Sequence, residues 1–181
     1  MQNTPRQLPP DILRFCVLLE APPRLISHLR VVHDAAIDLT DGLHDLFPRL
    51  EFSSDEITFG AATHDLGKVR HTNELTGQGR QHEIDGPAIL EGIGVQSQLA
   101  RFARTHGSWS REDLPLEDLL VALADAIWKG QRLEPLEKKV IDQIVKKTNL
   151  EEWEAFCKLD GLLEEIASRG DERLAWQQVN G

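Results

Sequence analysis

Apolar residues recur along this chain at alternating steps of three and four, a spacing that lays one stripe down a helix, whereas strict alternation would mark a half-buried strand. The clearest run is 23–43, where Leu25, Leu29, Val32, Ala36, Leu39 and Leu43 form a single stripe. Pro22 and Pro23 separate it from a shorter helix over 11–20. Ser53-Ser54-Asp55 can cap a helix over 56–65, whose Gly60, Ala61 and Ala62 permit close approach to other helices. The pattern predicts further helices over 81–92, with Ile84, Ala88 and Ile89 apolar, and over 95–104, with Leu99, Phe102 and Ala103 apolar. The segment 116–128 is the most hydrophobic of all.

Two amphipathic helices, 136–145 and 153–167, fall in a C-terminal helical region of about 134–178. The stripe of Trp153, Phe156, Leu159, Leu163 and Ile166 leaves core packing and a homodimer surface both open. Residues 1–9 read as a proline-containing lead-in, and 69–80, with Gly77 and Gly79, as a locally basic irregular loop. With no convincing strand pattern, hairpin signal or repeat, the expectation is an all-α, compact multi-helix bundle.

At 181 residues the chain suffices for one core, so a single domain over 1–181 is expected. A formal charge of −10 argues against nucleic acid polymers and anionic membranes as partners. A small anionic substrate is compatible with that charge only where bound cations or local Lys and Arg reverse the field. No run approaches the roughly 20 apolar residues of a membrane span, and the start lacks the pattern of a secretory signal, so a soluble cytoplasmic protein is expected. Cys16 and Cys157 sit among apolar and aromatic neighbours and are read as buried free thiols.

Candidate chemistry centres on His64-Asp65-Leu66-Gly67-Lys68 at the end of an apolar run. An imidazole and a carboxylate on adjacent residues can ligate one metal ion, and Lys68, one turn beyond His64, adds a fixed positive charge suited to phosphate. Asp125, between Ala124 and Ala126, is costly to bury unless paired or metal-bound. His28 lies on the core-facing side of its helix; His33, five residues on, is about 140° around the wheel, so only one of them faces a shared centre and His28 is favoured. His82 and His106 stand at a helix start and a helix end. Together the order His, His-Asp, His, His, Asp supplies enough nitrogen and oxygen donors for two ions.

These segments resemble the HD-domain metal-dependent phosphohydrolases: His28-Leu29-Arg30-Val31-Val32, then His64-Asp65-Leu66-Gly67-Lys68, then Leu123-Ala124-Asp125. His82-Glu83-Ile84-Asp85-Gly86 and Arg104-Thr105-His106 are similar to the additional elements of the binuclear subgroup. The stretch 116–125 followed by Arg132 is also similar to bacterial diadenosine tetraphosphate hydrolases. The chain has no tyrosine, and so lacks the Gly-Tyr-Pro element of the cyclic-di-GMP phosphodiesterases.

The resemblance implies a metal site between the central helices and a metal-dependent phosphohydrolase acting on a small nucleotide or related phosphate compound. Asp65 would bridge two ions, with His28, His64 and Asp125 on one side and His82 and His106 on the other. Water between two such cations ionises near neutral pH and can attack phosphorus in line. Imidazole and carboxylate donors without thiolates favour iron or manganese, with cobalt, nickel or magnesium also admissible. Lys68 would assist catalysis and hold phosphate, with Arg80, Lys129 and Arg132 as candidates for more distant phosphates. The competing readings are a mononuclear nucleotidase in which His82 and His106 bind phosphate, a non-catalytic metal-containing module that binds nucleotide or protein, and di-iron oxygenase chemistry.

Overall fold

The longest helix, α2 (Pro23–Leu46), is the element on which the others assemble. Pro23 occupies its first turn, where a missing N–H costs nothing, and the extended backbone of Pro22 turns the chain out of α1 (Pro10–Leu18). The computed structural model describes residues 4–111 and 113–181, and among these no strand occurs. The predicted stripe from Leu25 to Leu43 is fully buried. Helix α2 packs against α3 (Ser54–Thr63), α7 (Leu116–Ile127), α9 (Glu152–Ser168) and α10 (Gly170–Asn180). Helix α4 (Gln81–Gly92) packs on the one-turn helix α6 (Phe102–Thr105) and on a 3-10 turn, Leu66–Val69; α8 (Glu134–Thr148) packs on α7 and α9. No helix of the described residues is long and apolar enough to cross a membrane.

Helix α3 begins as its sequence directs: the Ser53 hydroxyl accepts the Glu56 N–H at 3.2 Å, with Asp55 and Glu56 complementing the helix dipole. A Cβ at Gly60 would collide with Phe102 and Val121, so glycine is what lets α3 nest between α6 and α7. The helix closes earlier than 65. His64 is its C-cap and Asp65 lies beyond it, because the Lys68 N–H bonds back to the Asp65 carbonyl at 2.9 Å and tightens the chain into the 3-10 turn. A second such turn, Thr72–Leu75, replaces part of the expected irregular loop.

Several expectations give way. The helix over 95–104 is instead two single turns, α5 (Ser97–Ala100) and α6, joined through Arg101, which keeps helical dihedrals. Helix α4 buries His82, Gly86, Ile89 and Leu90, while Ile84 is 65% exposed: its inward face carries a histidine and a glycine, so the apolar residues misplace the stripe. On α9, Leu159, Leu163 and Ile166 are core, whereas Trp153 (73% exposed) and Phe156 stack on each other outside it. Cys16 is buried and Cys157 is exposed.

Helix α10 falls at the end of the expected C-terminal helical region without an apolar stripe to mark it, because its inward side is led by a charged residue. Arg173 is 2% exposed and reaches Asp34 and Asp38 of α2 at 3.2 and 2.6 Å; its guanidinium also donates to the Ile166 carbonyl. Arg169 joins Asp38 at 2.6 Å, and Arg6 joins both carboxylates at 2.8 Å. Both ends of the described chain are thus clasped to one helix. Breaking a buried pair costs more than its net worth, because the abandoned charge stays desolvated. Asp34→Ala should therefore destabilise by about 3 kcal/mol, the low end for such a break because Asp38 still faces Arg173. Chemical denaturation would show this as a lower midpoint.

Candidate metal centre

Five segments converge on Asp65. Helix α2 supplies His28, the end of α3 supplies His64 and Asp65, the first turn of α4 supplies His82, the end of α6 supplies His106, and α7 supplies Asp125. The two Asp65 oxygens face different partners. Oδ2 lies 3.1 Å from His28 Nε2, 3.6 Å from His64 Nε2 and 2.5 Å from Lys68 Nζ. Oδ1 lies 3.1 Å from His82 Nε2 and 3.6 Å from His106 Nε2. Asp125 Oδ1 completes the first group, 3.4 Å from both His28 Nε2 and His64 Nε2. Donor atoms of His28, His64 and Asp65 lie within 4.8 Å of one another, as do those of Asp65, His82 and His106, and those of His64, His106 and Asp125.

The imidazoles are held in one tautomer. His64 Nδ1 meets the Ala61 carbonyl at 2.9 Å, His106 Nδ1 the Phe102 carbonyl at 3.0 Å, and His82 Nδ1 the Glu74 carboxylate at 2.5 Å. These oxygens only accept, so Nδ1 carries the proton and a bare Nε2 lone pair points at the carboxylates. Such an arrangement repels itself unless a positive charge lies between the donors. His28 Nε2, His64 Nε2 and Asp65 Oδ1 are buried and have no hydrogen-bond partner among the described residues. Buried atoms of this kind are costly to leave unpaired, and divalent cations placed between these donors would satisfy them.

The electrostatics carry the same sign. Burial opposes charge on His28, yet Asp125 and Asp65 push it up to about 9. Burial and the neighbouring His64 push His106 down to about 4. Against their own burial, the surrounding imidazoles hold Asp65 and Asp125 well below the usual carboxylate range. Ionised carboxylates set among imidazoles are the donor set of a hard-to-borderline metal ion, which would stand in place of the proton that Asp125 and Asp65 draw to His28.

His33, the alternative to His28, turns away, its Nδ1 donating to the Thr58 carbonyl at 3.1 Å. Lys68 lies at the cluster, but the other proposed phosphate contacts do not gather there. Arg80 is tied to Glu83 and the Gly107 carbonyl. Arg132 is bidentate with Glu137 at 2.8 Å and paired with Asp160 at 2.6 Å, lining a separate cavity. Lys129 is exposed on the turn after α7. The resemblance of the 116–132 stretch suggested Arg132; its carboxylate partners, Glu137 five residues on and Asp160 on α9, hold it elsewhere.

Two neighbours of the cluster were not foreseen. Glu74, 6% exposed, accepts the Gln81 and His82 backbone N–H groups at 3.0 and 3.2 Å besides the His82 ring, so one carboxylate both starts α4 and aims a ligand. The only signal for it in the sequence was an acidic residue inside a locally basic loop. Trp128 packs edge-on against His28, with ring centres 5.4 Å apart, and screens that side of the cluster.

A family model described as HD domain matches residues 25–128, a span that contains all six cluster residues. No curated protein and no solved structure matches the chain.

Proposed function

The chain belongs to the HD-domain family of metal-dependent phosphohydrolases, and on that premise we propose that it hydrolyses a small nucleotide or related phosphate compound at a centre of two divalent ions. The observation that carries this reading is the division of Asp65, one oxygen towards His28 and His64, the other towards His82 and His106. In this reading Asp65 bridges, His28, His64 and Asp125 hold one ion, and His82 and His106 hold the other. Iron or manganese suits the donors.

When bound, two such ions lower the pKa of a water towards neutrality and offset charge on phosphoryl oxygens. The protein's own groups do the rest. Ala61, Phe102 and Glu74 keep three imidazoles in the Nε2-facing tautomer, so no ligand must reorganise as charge develops. The Lys68 ammonium, held by Asp65 Oδ2, presents its remaining donors to a phosphate oxygen and relieves the repulsion between an anionic substrate and an acidic chain. Trp128 limits water beside His28.

The deciding experiment combines metal analysis with a hydrolysis screen of nucleotides and phosphate esters, supplying Mn, Fe, Co and Mg in turn. The expected result is two ions per chain at saturation and metal-dependent release of phosphate or nucleotide. One ion per chain at saturation would overturn the binuclear centre. Nucleotide binding without turnover under every metal would instead favour a non-catalytic module.

A further inference from the structure

Beside the cluster lies a cavity of about 270 Å³, with Asp65, His28 and Lys68 on one side, Trp128 and Leu75 flanking it, and Leu174 and Gln177 of α10 closing it. Arg24 stands at its rim. It precedes His28 by four residues on α2, so the two side chains leave the same helix face about 5–6 Å apart at Cβ. Its Nε donates to the Leu75 carbonyl at 3.3 Å, which anchors the guanidinium over the opening. No carboxylate among the described residues pairs with it. Arg80 and Arg132, by contrast, are both neutralised by carboxylates. Lys68 is held at the metal-site end by Asp65, so Arg24 is a second cation of this cavity, with terminal N–H donors that no carboxylate takes up.

We infer that Arg24 and the α10 wall form a second anion subsite, selecting substrates that carry another phosphate beyond the one at the metal centre, as in a pyrophosphate-linked nucleotide. The inference rests on the phosphohydrolase reading for the position of the first phosphate. A guanidinium presents a planar pair of donors that matches phosphate oxygens bidentately, and Leu75, Leu174 and Trp128 give the remaining walls an apolar character suited to excluding water. Arg24, Leu174 and Gln177 lie outside the span 25–128 matched by the family model.

The test has two arms on the manganese-loaded protein, comparing wild type with Arg24→Gln and Arg24→Lys. In the first, kcat/KM is measured for ADP and for AMP. The ADP-to-AMP ratio should fall roughly 10- to 100-fold in Arg24→Gln, the size of one charge-assisted contact, and less in Arg24→Lys. In the second, calorimetry with manganese held in excess compares inorganic pyrophosphate with orthophosphate. Wild type should favour pyrophosphate, and Arg24→Gln should lose most of that preference. An unchanged preference in both arms overturns the subsite. If the pyrophosphate preference depends on Arg24 while the wider screen of nucleotides and phosphate esters finds no turnover with any metal, the hydrolase reading fails and the subsite stands. Unchanged circular dichroism and melting temperature establish that Arg24→Gln is folded.

Discussion

The Asp65→Ala protein is expected to lose hydrolytic turnover by roughly a thousand-fold or more, because several kcal/mol of metal-borne charge stabilisation depend on the residue that both ion positions share. No other side chain of the cluster faces both groups through different atoms. His28 and Asp125 meet one position, and His82 belongs to the other. Removing Asp65 therefore acts on both ions, and metal analysis should find at most one per chain. Asp65→Asn is the sharper variant: it preserves volume in a site only 2% exposed but supplies no negative charge. Retention of turnover by Asp65→Ala would sink the proposed function. Loss of turnover with full metal content would show that the carboxylate is not a bridge.

Glu74→Ala should weaken binding at the His82–His106 position by about 10- to 100-fold, the usual cost of removing the partner that orients a metal-ligating imidazole. The comparison with Glu74→Gln separates two effects. An amide oxygen can still accept the His82 Nδ1–H and hold the tautomer, but it lacks the charge that makes the ring a stronger donor. If Glu74 acts by position alone, Glu74→Gln retains most of the affinity; if by charge, it falls with Glu74→Ala. A metal titration in which both variants match wild type would remove Glu74 from the site. Because Glu74 also accepts two backbone N–H groups at the start of α4, helix content must be followed alongside.

The cluster residues stood out in the sequence for a physical reason. Metal sites require uncommon side chains on elements whose phase is set by apolar residues, and α2 and α7 have such residues along one face. His28 could be preferred over His33 from helical phase alone, and the two do diverge. What escaped was whatever depends on which neighbours the folded turns and loops bring together. Arg132 looked like a phosphate contact until Glu137 and Asp160 came beside it. Glu74 was one carboxylate in a basic loop until the loop folded back on His82. Helix α10 is written with a buried arginine where an apolar residue would have announced it, and Trp153 carries an apolar stripe past the last surface it could meet.

The closing of the cavity by α10 has a consequence for the order in which the site is made. Ribosomal synthesis delivers the chain from its first residue onward, and domains begin to fold as they emerge. Every residue of the cluster precedes 126, whereas the wall formed by Leu174 and Gln177 arrives about fifty residues later and is drawn down onto α2 by Arg173. All six ligands are thus synthesised before the flank of the pocket that α10 supplies. In chain order, α10 therefore completes the pocket and not the ligand set, with α8 and α9 between the two.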